Sequence, residues 1–189
     1  MKRRKSTRIA CALLCTMLGA GAAHAIDDRF NPSRYEKGGF APVDNALYAK
    51  ECGSCHFTYL PGMLPARSWH ALIGGSGNHF GEALALAPET ARHIEQYLVS
   101  NAADTSSFRG SEVILYRLEE NAIPLRITSL PVMRQRHQVV RKLLAPPHTS
   151  VKSLTNCDAC HERAAAGSFA YGEIVVPGVT KVIKPGGLF

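Results

Sequence analysis

Apolar side chains recur at helical spacing in several stretches of this chain and almost nowhere alternate. The clearest run is Pro88–Ala102, where Ala91, Ile94, Tyr97 and Leu98 form one stripe. Glu89 near its start suits the positive end of the helix dipole. Ahead of it, Asp44 is placed to cap a helix through Ala46, Leu47 and Tyr48 towards Cys52. Ser68 is placed to cap a short helix carrying Trp69, Leu72 and Ile73, stopped by Gly74, Gly75 and Gly77. Further on, Glu112–Leu118 reads as a short helix. Ser129 would then cap a longer one, Leu130–Leu144, with Val132, Val139, Val140 and Leu143 as its apolar positions. Two-residue alternation is confined to Glu173–Val176. The pattern predicts a mainly α protein.

Turn residues divide these elements. Residues 26–42 are polar and turn-rich, with Asn31-Pro32-Ser33 and Gly38-Gly39, and read as an extended lead-in. Pro61-Gly62 and Pro65 mark a loop, Asn101–Gly110 a small polar linker, and Pro146-Pro147 a helix stop. The chain therefore splits into 26–104 and 105–189. A unit of about 80 residues buries little apolar core by itself.

The N-terminus reads as a targeting segment. Lys2, Arg3, Arg4, Lys5 and Arg8 precede an apolar run from Ile9 to Ala20, too short to span a bilayer. Ala23-His24-Ala25 is an A-x-A cleavage signal, so residues 1–25 are expected to leave and the mature chain to begin at Ile26 in the periplasm. Lipid attachment at Cys15 is disfavoured by bulky Leu14 before it. No later stretch is long and apolar enough for a transmembrane helix.

Processing changes the charge. The whole chain carries a formal +7, but from Ile26 onward 17 Lys plus Arg stand against 15 Asp plus Glu, or +2. The basic balance is thus no argument for nucleic acid. Of six cysteines, Cys11 and Cys15 leave with the signal.

The remaining four form Cys52-Gly53-Ser54-Cys55-His56 and Cys157-Asp158-Ala159-Cys160-His161. Cys-x-x-Cys-His is a c-type haem attachment site: two thiols add to haem vinyl groups and the adjacent His ligates iron. Cys52, Cys55, Cys157 and Cys160 are the expected attachment residues, and His56 and His161 the proximal ligands. A four-thiolate zinc site is the rival, but it needs pairs a hundred residues apart and gives no reason for either His. A flat, apolar, covalently held cofactor also supplies the core that each half lacks.

The sixth iron ligand decides the chemistry, because a second His or a Met saturates the iron whereas an open position binds small molecules. For the first haem His79 is favoured, in the loop Gly77-Asn78-His79-Phe80-Gly81 before the closing helix. His70 and Met63 are held in reserve, with surface and packing roles as their plainer readings. For the second haem His137 is favoured, on a helix with Arg134, Arg136, Arg141 and Lys142 that are suited to pair with propionates. His148 and Met133 are its reserves. His93 opposes the apolar stripe of its helix, and Phe57 suits packing at a haem edge.

These residues resemble the bacterial dihaem cytochrome c family. The resemblance is carried by Glu51-Cys-Gly-Ser-Cys-His-Phe57, by Pro61-Gly-Met-Leu-Pro-Ala-Arg-Ser-Trp69, by Asn78-His-Phe-Gly-Glu82, by Pro124-Leu-Arg-Ile-Thr128, and by His137 and Asn156-Cys-Asp-Ala-Cys-His161. It implies a class I cytochrome c-like N-terminal domain followed by a smaller, less regular haem-binding C-terminal one. It also implies two low-spin haems with two His ligands each, with His79 and His137 as the sixth ligands. Members look like electron donors to a high-spin, oxygen-binding c-type cytochrome, taking electrons from a b-type membrane cytochrome. The expected role is a periplasmic electron shuttle, not an enzyme. The alternative is a dihaem peroxidase-like enzyme or haem sensor with one open iron.

Overall fold

The computed structural model describes residues 38–143 and 153–179. Among them there are six α-helices, short 3-10 turns and no strand. The targeting segment and most of the lead-in lie outside the described residues.

Helix α1 spans Ala46–Cys52. Its cap is Asn45, one residue after the expected Asp44: the Asn45 side chain accepts from the Tyr48 N–H at 2.9 Å, satisfying a donor the helix cannot. Helix α2 spans Ala66–Gly74 behind Pro65. Ser68, expected to cap it, is inside the helix and buried. The cap comes from afar, because the Asp104 carboxylate accepts from the Ala66 N–H at 2.9 Å. Helix α3 spans Pro88–Ser100 and stops short of Ala102. The stretch read as a polar linker begins inside the core: Ala102 and Ala103 are buried, and the Ala103 N–H donates to the Leu64 carbonyl at 2.9 Å.

Helix α4 spans Arg109–Leu115 and starts three residues before the expected Glu112. The long helix expected over Leu130–Leu144 is two pieces, α5 at Pro131–Arg136 and α6 at Gln138–Leu143, parted at His137. Ser129 does not cap it; Ser129 closes a 3-10 turn from Ile127, and Leu130 takes the cap position. Over 173–176 the alternation does not form a strand. Tyr171–Glu173 is a 3-10 turn, and a single bridge joins Ile174 to His161.

Helix α3 packs on α1 and α2, with the Tyr48 and Tyr97 rings 5.7 Å apart. Ile94 and Leu98 of its stripe are buried with Tyr48, Leu60, Met63, Leu64 and Trp69, each such aliphatic side chain contributing about 1.5–3 kcal/mol. The same core continues through Ile114, Ile127, Leu130 and Ala164, so it crosses the boundary expected at residue 104. A crossing near the chain ends ties the halves together. The Phe40 N–H donates to the Gly167 carbonyl at 2.9 Å. Both Gly39 (φ +69°) and Gly167 (φ +83°) sit in the left-handed region that favours glycine. A Cβ on Gly167 would meet the Phe40 carbonyl oxygen at 2.0 Å.

Candidate haem sites

The first Cys-x-x-Cys-His begins on the last residue of α1, which ends where the Gly53 N–H returns to the Ala49 carbonyl at 2.9 Å. His56 then turns inward. Its Nδ1 lies 2.8 Å from the Phe57 carbonyl oxygen; a carbonyl only accepts, so Nδ1 carries the proton and Nε2 keeps its lone pair. Opposite it stands His79, ring centres 6.3 Å apart and planes 28° apart. An imidazole nitrogen sits about 2 Å from a bound transition metal and the ring centre about 1 Å further back, so two imidazoles gripping one metal stand roughly 6 Å apart, centre to centre. Burial first, then the charges of His56 and Arg126, hold His79 below the ordinary histidine pKa. It is thereby kept as the neutral, ligating form.

The space between these rings opens into a cavity of about 330 Å³. Leu64, Trp69, Leu72, Ile73, Leu84 and Leu98 give it apolar walls, and Cys52 and Cys55 sit at its rim. This is a surface for a flat apolar body with two points of covalent anchorage. Before attachment, burial raises the Cys52 thiol to about 11.

The loop presenting His79 is tightly tied. The His79 N–H donates to the Glu82 carbonyl at 2.6 Å, and the Glu82 N–H returns to the His79 carbonyl at 3.2 Å. The Gly81 N–H donates to Asn78 Oδ1 at 2.9 Å. Phe80 at the tip has φ +58°, a conformation that costs a bulky residue of order 1–3 kcal/mol. The Arg126 guanidinium lies 3.7 Å over its ring.

The second Cys-x-x-Cys-His forms a 3-10 turn, Cys157–Ala159, closed by the Cys160 N–H onto the Cys157 carbonyl at 3.3 Å, and the His161 N–H reaches the same carbonyl at 2.9 Å. His137 faces His161 with ring centres 6.2 Å apart and planes 70° apart. His137 Nδ1 donates to the Met133 carbonyl at 2.9 Å, again freeing Nε2. His161 is packed against Phe169, ring centres 5.0 Å apart. Burial, reinforced by His137, lowers the His161 pKa to about 4. Its Nδ1 is buried without a partner, a state that costs free energy unless a ligand or water completes it. Burial, with Asp158 beside it, raises the Cys157 thiol to about 12. The residual cavity here is small, about 40 Å³, and is lined by Met133, His137, Leu154, Cys157, His161 and Phe169 together with Ile127 and Thr128. Ile127 and Thr128 also front the first cavity. Two His pairs, each beside a Cys pair, match the donor set of two c-type haems.

The other candidates lie elsewhere. Met63 is fully buried in the core and lines neither cavity. His70 Nδ1 is in hydrogen-bond contact with Glu95 Oε1 at 2.8 Å, and its side chain is 58% exposed. Met133 lines the second cavity and serves His137 through its carbonyl. His148 lies outside the described residues. Phe57 is buried edge-on against Tyr59. The four cysteines of the two motifs form no disulfide, and among the described residues there is no cluster of three or more His, Cys, Asp or Glu that could hold a metal ion. Sequence reasoning missed the shared wall Ile127-Thr128 and the contact of Arg126 with Phe80. Both lie in runs that carried the resemblance, but pairing them needs three dimensions.

A family model described as dihaem cytochrome c matches residues 48–169. The chain belongs to the dihaem cytochrome c family. Two c-type haems and an electron-transfer cytochrome follow from that membership. A diheme cytochrome c from Rhodobacter sphaeroides is 39% identical, covering 68% of this chain and 99% of its own, at a TM-score of 0.59. A diheme cytochrome type c from Shewanella baltica OS155 is 31% identical, covering 73% of this chain and 97% of its own, at a TM-score of 0.57. No curated relative matches the chain.

Proposed function

We propose that this protein is a periplasmic electron shuttle in which each haem iron is gripped by two imidazoles. Cys52 and Cys55 would attach the first haem, with His56 and His79 as ligands. Cys157 and Cys160 would attach the second, with His161 and His137. The observation that carries this is the paired spacing, 6.3 Å and 6.2 Å between ring centres, beside each Cys pair. Haem iron supplies reversible one-electron storage. The chain does the rest: its apolar walls exclude water, the Phe57 and Met133 carbonyls fix the tautomers of His56 and His137, and Ile127 and Thr128 front both sites. Two His ligands without Met favour a low potential relative to Met-ligated cytochromes.

The halves differ in charge. Residues 26–104 carry 6 Lys plus Arg against 9 Asp plus Glu, or −3, and residues 105–189 carry 11 against 6, or +5. Halves of unlike charge suit a carrier that meets two different partners in transient encounters. A b-type membrane cytochrome as donor and a high-spin, oxygen-binding c-type cytochrome as acceptor fit that role. Among the described residues no helix is long and apolar enough to cross a membrane. Export rests on the basic N-terminus, the Ile9–Ala20 run and Ala23-His24-Ala25. N-terminal sequencing of the mature protein should begin at Ile26.

The enzyme or sensor reading needs an open iron, and an imidazole opposite each attachment His argues against one. A carbon monoxide titration of the reduced protein is the test. The shuttle reading expects neither haem to bind it readily. Rapid stoichiometric binding at one haem would replace the shuttle with a catalyst or sensor.

A further inference from the structure

We propose that Arg126 holds the His79 loop closed over the first haem cavity, acting through the face of Phe80. The inference rests on the reading of His79 as the sixth ligand. The loop needs a restraint from outside itself. Its own hydrogen bonds, between His79 and Glu82 and from Gly81 to Asn78, define a tight turn, and bonds from the Asn78 N–H to the Gly75 carbonyl and from the Leu84 N–H to the Ser76 carbonyl join its base to the end of α2, but none of them holds the Phe80 side chain at the tip. At its tip stands a Phe at φ +58°, where a glycine would be unstrained. A strained conformation persists only when its surroundings hold it. The Arg126 guanidinium lies 3.7 Å from the centre of the Phe80 ring, well inside the range of cation–π attraction. The ring adjoins the imidazole, centres 4.7 Å apart, so gripping Phe80 fixes His79.

Arg126 comes from the other half of the chain. The next two residues, Ile127 and Thr128, front both cavities, and Ile127 is buried in the core. The latch is therefore anchored on rigid backbone, and the second half of the chain closes the distal side of the first site. Arg126 also lines the first cavity and its charge bears on His79; as a latch it is a positioning residue, acting on the iron through Phe80 and His79.

The test uses the full-length, haem-loaded protein and carbon monoxide binding to the reduced form, with the paramagnetic resonance of the oxidised form as a second readout. His79→Ala is the reference. It should open one haem completely and supply the spectral signature of that haem. Arg126→Ala and Phe80→Leu should each raise carbon monoxide occupancy at the same haem by about tenfold, the equilibrium worth of one cation–π contact. Arg126→Lys should restore part of the closure, since an ammonium also sits on an aromatic face. The second haem should stay closed in all four variants. If Arg126→Ala leaves binding at the parental level, the latch does not exist. If Arg126→Ala opens the haem but Phe80→Leu does not, Arg126 acts as a counter-ion and not through the ring, and the proposal falls. If His79→Ala itself opens neither haem, the ligand reading is wrong, and the latch goes with it.

Discussion

His137 interrupts its own helix to face His161. The backbone at His137 turns to φ −100° and ψ 7°, yet the hydrogen bonds on both sides survive: His137 N–H to the Met133 carbonyl and Arg141 N–H to the His137 carbonyl. The break brings the ring to 6.2 Å from His161, with planes 70° apart. At the other site the planes of His56 and His79 are 28° apart. Ligand-plane angle sets how far the iron d orbitals split. The oxidised protein should therefore show two distinct low-spin resonances, the more anisotropic one from the His137–His161 haem. His137→Ala should abolish that one and create a high-spin signal, while His79→Ala should do the same to the other. If each variant erased the same resonance, or neither produced high-spin iron, the ligand pairs would be misassigned.

Covalent attachment gives a simpler prediction. Changing Cys52 and Cys55 together to Ala should lower the mass of the mature protein by one haem and leave the second in place. The apolar walls of the first cavity, including Trp69 and Leu98, would then face water, and about 25 cal/mol is lost for each Å² so exposed. The helical circular dichroism should fall and the melting transition broaden. An unchanged mass would remove the attachment assignment.

Gly167 makes the backbone contact with Phe40 that joins the two halves. At φ +83°, with the Phe40 carbonyl oxygen where a Cβ would go, it admits no side chain without displacing backbone. Gly167→Ala should destabilise the haem-loaded protein by about 1–3 kcal/mol. Phe40 also holds Phe169 edge-on at 5.5 Å, and Phe169 packs on His161. The loss should therefore appear in the second haem's spectrum before the first's during a urea titration. Simultaneous loss of both signals would mean that the crossing does not serve the second site selectively.

What could be read from the chain was what sequence encodes locally. The Cys-x-x-Cys-His runs need only five neighbours. The α3 stripe needs only a period of 3.6, and His79 and His137 stood out because few other histidines lay in suitable places. What stayed hidden depends on distant partners. Between Asp44 and Asn45, one residue apart, it is Asn45 that caps the helix, while the Asp44 N–H donates to the Tyr97 hydroxyl oxygen at 3.2 Å. Val132, Val139, Val140 and Leu143 carry a helical period straight through His137, so nothing local announced the break there. Ser68 looked like a cap by composition, but Pro65 opens the helix earlier and Asp104 caps it from another part of the chain.

That distant cap can be measured. The first N–H groups of a helix lack intrahelical partners, and a side-chain oxygen placed on one of them is worth about 0.5–2 kcal/mol relative to Ala. Asp104 places both carboxylate oxygens near the Ala66 N–H, at 2.9 and 3.3 Å, and its negative charge also meets the positive end of the α2 dipole. Asp104→Ala should lower the unfolding free energy of the haem-loaded protein by that amount, with Asp104→Asn losing less because it keeps an acceptor. The α2 helix carries Trp69, Leu72 and Ile73, which wall the first cavity, so the cap steadies that wall. The destabilisation should shrink as salt screens the charge but not vanish, because the hydrogen bond survives screening. If Asp104→Ala unfolds at the same urea concentration as the parent, α2 does not depend on this carboxylate.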